Sequence, residues 1–476
     1  MASQDRHPNI LFLFTDQQRP DWFEMNPAIP VRTPHLKGLS ERGVWLTRAI
    51  CPSPVCGPSR ACVASGREYD RCRVWSNDTD FPPELPTYHK RLRDEAGYHV
   101  MGAGKFHVGN NQGGTPPEFY FGSDGRRRLD EWGFSDGVFN AGKNQATILM
   151  RRHDGVPQDT YMSFLHERGL AEQHIDDYRR RNEEDVWTAT FPTPLPDDAY
   201  FDNWIAGNGL DLLDRAPADQ PWYLEVNFQN PHHPWDITET MHRLYRDPEV
   251  DFPPPEHCDL DVTPQVHQEV RRNFAAMIEH LDDIVGRCIA KVEERGELEN
   301  TLIVFISDHG EMLGDYSQWQ KLSPLQASVG VPFIIAGPNV AARGACDAPA
   351  TILDLHSTFL ECAGLAPAAD VDSRSMGAFL AGETERHREV VFSGLSAWRL
   401  AFDGRHKLVR GYDPGKRRGG ADWEPMHVPS EEAARLQRER APLLYDIQGD
   451  ERINVADRQP EVFANLARHL DGQLGL

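Results

Sequence analysis

Residues 9–17 read Asn9-Ile10-Leu11-Phe12-Leu13-Phe14-Thr15-Asp16-Gln17, an unbroken apolar run that ends in a carboxylate and an amide. A strand with no polar alternation is one covered on both faces, as in a parallel sheet between helices. The pattern recurs downstream. Residues 222–228 (WYLEVNF) end at Asn230-Pro231-His232-His233-Pro234, residues 301–306 (TLIVFI) end at Ser307-Asp308-His309, and 331–336 (VPFIIA) is a further apolar run. Shorter strands are predicted at 44–49 and 100–103, the latter delivering Gly104-Lys105-Phe106-His107. Helical spacing lies between them, at 33–42, 59–65, 85–96, 202–213 and within 264–294. Alternating strands and helices imply an α/β fold around a large, mostly parallel sheet. Ligand sites in such sheets lie beyond the carboxyl ends of the strands. The polar clusters at 15–17, 105–107, 230–234 and 308–309 all occupy that position.

Two regions depart from this texture. Residues 110–200 carry a Gly/Pro-rich opening, an Arg run at 126–128 and a polar helical stretch near 163–183, and are expected to form a variable insertion over the site. Beyond residue 385 come short antiparallel strands at 390–393, 398–402, 406–411 and 443–446, then a final helix at 460–474. The expected division is a catalytic domain over 1–385 and a smaller C-terminal α+β domain over 386–476.

Bulk properties exclude several classes. The net charge of −23 over 476 residues disfavours nucleic acid and anionic membrane as partners. The sequence holds no apolar stretch long enough to span a bilayer and no secretory signal at its start, so a cytoplasmic protein is expected. The eight cysteines fit a reducing compartment. Four of them, Cys51, Cys56, Cys62 and Cys72, lie close together, but they form no CxxC pair and their spacing fits no structural zinc site.

One of these cysteines sits in a motif. Cys56-Gly57-Pro58-Ser59-Arg60, followed by Ser65-Gly66-Arg67, resembles the signature of the sulfatase family, whose usual Thr-Gly-Arg is here Ser-Gly-Arg. The likeness extends to Gly104-Lys105-Phe106-His107-Val108-Gly109, to Asn230-Pro231-His232-His233-Pro234, to Lys321 in Trp319-Gln320-Lys321, and to Leu443-Leu444-Tyr445-Asp446 near the end. It implies an alkaline-phosphatase-like fold. It also implies that a formylglycine-generating enzyme oxidises Cys56 to formylglycine during maturation. The hydrated aldehyde then attacks the ester through one hydroxyl and later expels sulfate from a covalent sulfo-enzyme intermediate.

The resemblance also assigns roles to the matched residues. Asp16, Gln17, Asp308 and His309, with residue 56, are expected to hold one divalent metal ion. Calcium is the family default, and the imidazole of His309 makes manganese the alternative. Arg60 would hold the modified residue or the anion. Lys105 would balance charge, and His107 would take the proton from the second hydroxyl. His232 and Lys321 would bind the anion and protonate the departing oxygen.

The leading expectation is hydrolysis of a small-molecule sulfate ester. A phosphonate monoester or phosphodiester hydrolase on the same site is the alternative, because that branch also pairs Asp-Gln with Asp-His. Lys105 and His107 follow the sulfatase form instead. A catalytically dead binding homologue would need a lost ligand or nucleophile, and none is missing. Self-association into a homo-oligomer is compatible with the sequence.

Overall fold

The computed structural model of the chain describes residues 7–82, 84–107, 128–246, 249–415 and 425–475, with side chains omitted at 128 and 129. Val108, Gly109, Arg126, Arg127 and the opening of the 110–200 stretch, all singled out above, lie outside those residues.

The first sheet contains eight strands, β1 (Asn9–Asp16), β2 (Val44–Ile50), β3 (His99–Gly104), β4 (Asp136–Phe139), β5 (Trp222–Pro231), β6 (Thr301–Ser307), β7 (Phe333–Ala336) and β8 (Gly344–Thr351). Their order is β4-β3-β5-β1-β6-β7-β2-β8. All neighbours run parallel except those of β7, which is antiparallel to both β6 and β2. All eight residues of β1 are buried, as its unbroken apolar run requires. Its alternate side chains enter two separate cores, Ile10, Phe12 and Phe14 on one face and Leu11 and Leu13 on the other. Each such side chain contributes about 1.5–3 kcal/mol of transfer free energy.

The second sheet is antiparallel, with β9 (Val391–Leu395), β10 (Trp398–Phe402), β11 (His406–Arg410) and β12 (Leu443–Asp446) in the order β12-β11-β10-β9. One face packs Leu400, Phe402, Val409 and Tyr445 into the core shared with β1 and β2. The other packs Ala401, Leu408 and Leu444 against Leu466 and Leu470 of the helix Pro460–Leu474. The fold is the expected one, a large mostly parallel sheet flanked by helices with a smaller antiparallel sheet beside it.

The described part of the expected insertion does more than cover the surface. It supplies β4 at the sheet edge and the helices Lys143–Arg152, Thr160–Glu167 and Ala171–Glu184. Ala146, Leu149, Met150, Tyr161, Met162 and Leu165 pack into the same core as Leu11 and Leu13. The polar stretch predicted as one helix is two, broken where Gly169 adopts a left-handed φ of 68°.

Candidate active site

Four strand ends converge. β1 ends at Asp16, and Gln17 follows with φ 68°, which turns the chain sharply away from the sheet. The Gln17 N–H donates to Asp308 Oδ1 at 3.1 Å, tying the end of β1 to the end of β6. β3 ends at Gly104 (φ 105°), where a Cβ would lie 2.0 Å from the Asn227 carbonyl oxygen. Only glycine fits there, and it lets Lys105 enter the site beside β5.

The helix Cys56–Ser65 begins at Cys56 itself, three residues before the start expected from the sequence. Cys56 therefore lies in the first helical turn, beneath the strand ends, and Arg60 lies one turn further on the same side. Arg60 is fully engaged. Its Nε donates to Asp308 Oδ2 (2.9 Å), and one terminal nitrogen donates to Asn227 Oδ1 (2.7 Å) and the Lys105 carbonyl (2.8 Å). Its guanidinium lies over the Phe14 ring at 4.3 Å.

The Cys56 sulfur is the meeting point. It lies 3.2 Å from His309 Nε2, 3.5 Å from Lys321 Nζ and 3.7 Å from Asp16 Oδ1. His107 and His232 also lie close to it. Burial pushes the Cys56 thiol up, but Lys105, Lys321 and His309 outweigh burial and hold it well below the usual range. Burial and the Cys56 sulfur push the Asp16 carboxyl up. Lys105, hydrogen-bonded to it, outweighs them together with His232 and Lys321, so Asp16 is also held low. Burial, with Lys105, lowers His107, and burial, with Lys321, lowers His232 to about 4.

Asp16, Cys56, Asp308 and His309 are buried, and their ligand atoms all lie within 4.8 Å of one another. Ligands bound at about 2.3 Å to a common ion span about this distance. The donor chemistry also fits. His309 Nδ1 faces the Gly310 carbonyl at 3.0 Å, which places its proton there and leaves the Nε2 lone pair toward the cluster. Gln17 is placed differently. Its Oε1 accepts from Lys321 at 2.5 Å, and its Nε2 donates to Glu311.

A family model described as "Sulfatase" matches residues 8–365. The chain belongs to the sulfatase family. With that membership stands the expectation of a sulfuric ester hydrolase. This sulfatase is similar to the choline-sulfatase of Rhizobium meliloti (strain 1021), at 30% identity over 392 residues covering 75% of this chain and 68% of that protein. It is also similar to the arylsulfatase of Clostridium perfringens (strain 13 / Type A), at 24% identity over 436 residues covering 84% and 82%. Among solved structures, the phosphonate monoester hydrolase of Agrobacterium radiobacter superposes with a TM-score of 0.72 at 22% identity, covering 97% of this chain and 94% of that one. That is a likeness of fold. Among the described residues, no helix is long and apolar enough to cross a membrane.

The sulfatase site thus brings together every residue that was assigned a role from the sequence, Asp16, Gln17, Cys56, Arg60, Lys105, His107, His232, Asp308, His309 and Lys321. It also recruits several that were not. Glu311 accepts from Gln17 Nε2, Leu313 N and Gln320 N, joining the end of β1 to the segment carrying Lys321. Asn227 receives Arg60, and Asn77 Oδ1 accepts from Gly57 N at 2.8 Å. His233 stacks on His232 with ring centres 4.2 Å apart, and Trp187 packs on His233 at 4.4 Å. The Asp308-His309-Gly310-Glu311 run could have flagged Glu311. Asn77 and Trp187 carry no comparable local signal.

Proposed function

We propose that this sulfatase hydrolyses the sulfate ester of a small molecule in the cytoplasm, with Cys56 converted to formylglycine as its nucleophile. We propose further that Asp16, Asp308 and His309, with residue 56 and Gln17, hold one divalent cation, calcium or manganese. The observation that carries the reading is the position of the Cys56 sulfur, buried where two acidic strand ends, two lysines and three histidines meet. The sulfur stands in for the oxygens of formylglycine.

Formylglycine supplies an aldehyde whose hydrate carries one hydroxyl to attack and a second to release the sulfate. A bound cation supplies positive charge beside that oxygen and the ester. The protein's own groups do the rest. Lys105 and Lys321 flank residue 56 and offset the charge of an entering anion. Arg60 fixes Asp308 and the neighbouring backbone. His107, held neutral by burial, is suited to take the proton of the second hydroxyl. His232 donates its Nδ1 proton to the His233 carbonyl, so its Nε2 faces Lys321 at 3.2 Å. An anion bound beside Nε2 favours transfer of a proton from the Lys321 ammonium to Nε2, and His232 passes it to the departing oxygen.

Mass spectrometry of the peptide 49–60 from protein made in its native host tests the nucleophile. The expected mass is that of formylglycine, and an unmodified cysteine sinks the mechanism. A matched panel of sulfate and phosphonate monoesters tests the substrate class. Sulfates should turn over faster, and faster phosphonates would transfer the same site to the alternative chemistry.

A further inference from the structure

Lys143 is a buried cation that the mechanism above does not use. It opens the helix Lys143–Arg152, and its side chain is fully enclosed. A buried ammonium must find acceptors for its three N–H bonds. All three acceptors lie on one loop, Asn230 Oδ1 (2.9 Å), Asp236 Oδ1 (2.8 Å) and the Pro234 carbonyl (3.4 Å). That loop begins on the last two residues of β5, Asn230 and Pro231, and carries His232 and His233 just beyond them.

Two tyrosines complete the grip. Tyr178, on the helix Ala171–Glu184, donates to Asp236 Oδ2 at 2.9 Å. Tyr200 donates to the Asp236 carbonyl at 2.8 Å and accepts from Asn230 Nδ2 at 2.9 Å. Both legs of the loop are thus fixed from one side, at Asn230 and Asp236, and His232 is carried between them. The opposite side meets the site, where His232 Nε2 faces Lys321. The described part of the expected insertion thus holds, through Lys143 and Tyr178, the loop that carries His232.

We propose that Lys143 is the positioning residue of the proton donor, holding the 230–236 loop, with Tyr178 and Tyr200, so that His232 meets the departing oxygen. Lys143 touches no reacting atom and acts through Asn230 and Asp236. The inference rests on the reading of His232 as the group that protonates that oxygen.

The experiment compares kcat/KM for two sulfate esters of similar size in the full-length, formylglycine-bearing enzyme. 4-Nitrophenyl sulfate releases a stable phenolate and needs little protonation. 2-Phenylethyl sulfate releases an alkoxide and depends on it. Loss of packing alone lowers both together, whereas a displaced donor penalises the alkyl ester. For Lys143→Met the expected loss is about 100-fold on the alkyl ester and below about 5-fold on the aryl ester. Tyr178→Phe removes one hydrogen bond without stranding a charge, and should show the same bias at lower amplitude. It decides the matter should Lys143→Met fail to fold. His232→Ala, in the same assay, should show the bias most strongly. Equal losses on both esters in the folded Lys143 or Tyr178 variant, with a biased His232→Ala, overturn this inference alone. An unbiased His232→Ala overturns the proton-donor reading, and this inference with it.

Discussion

One wall of the site, with Asp16, Asp308 and His309, hangs from adjacent strands of a parallel sheet. The facing wall, with His232 and His233, hangs from a loop. In the first, position is set by backbone pairing. β1 is hydrogen-bonded to β5 and β6 along nearly its whole length, so Asp16 and Asp308 cannot move apart without opening the ladder. In the second, strand pairing ends at Pro231, and the residues beyond it are placed by side chains that reach the loop from elsewhere, among them Lys143, Tyr178 and Tyr200, with Asp202 holding its first leg. Such contacts can be exchanged one at a time without disturbing the sheet. On the proposed mechanism, the task of holding charge around residue 56 falls to the stiff wall, and that of meeting the leaving group to the wall that side chains can retune.

The largest effect should come from the residue between the walls. Cys56→Ala removes the proposed nucleophile, and turnover should fall by about 10⁵-fold or more, as deletion of a covalent nucleophile does elsewhere. Near-UV circular dichroism should be unchanged, because the fold does not depend on the sulfur. Substantial turnover by this variant would mean that the walls are arranged around another atom.

The next test divides the walls directly. Asp308→Asn should cost about 10³-fold in activity and most of the bound metal, measured by elemental analysis of the purified protein. His233→Ala should cost about 10-fold to 100-fold and leave the metal content intact. Equal metal loss in both would erase the division. His107→Ala comes after these, with a steady-state loss of about 100-fold or more, preceded by release of one equivalent of alcohol per active site. An unchanged steady-state rate would remove His107 from the release step.

The stiff wall was also the legible one. Unbroken apolar runs marked β1, β5 and β6, and a carboxylate directly after such a run is placed by the strand itself, so Asp16 and Asp308 could be read locally. β8 escaped notice because its first half, Gly344-Ala345-Cys346-Asp347, is only partly buried and has no apolar period. β4 is four residues at a sheet edge. The reversed direction of β7 cannot be read from composition, because a strand buried on both faces looks alike in either sense. Lys143 was invisible for a different reason. In sequence it is a polar residue opening a polar helix, and its burial is decided by Asp236, 93 positions away.

The smallest expected effect concerns Asp202, which caps the loop's first leg. Its two carboxylate oxygens accept from Gln229 N (2.8 Å) and Asn230 N (2.9 Å). Burial pushes this carboxyl up to about 6, against Lys143 and the two N–H groups that draw it down. A carboxyl whose folded value lies above its unfolded one binds its proton more tightly in the folded state. The cost of burying its charge is therefore fully present above about pH 6 and is relieved as pH falls toward 4. Asp202→Asn loses the charge and this pH dependence with it, and it sets an amide donor against one of the two N–H groups. Urea unfolding of both proteins should show the wild type gaining on the variant by about 1 kcal/mol per pH unit as pH falls from 6 to 5, with little change between pH 8 and 7. A stability difference that does not vary with pH would mean that this carboxyl titrates as if exposed.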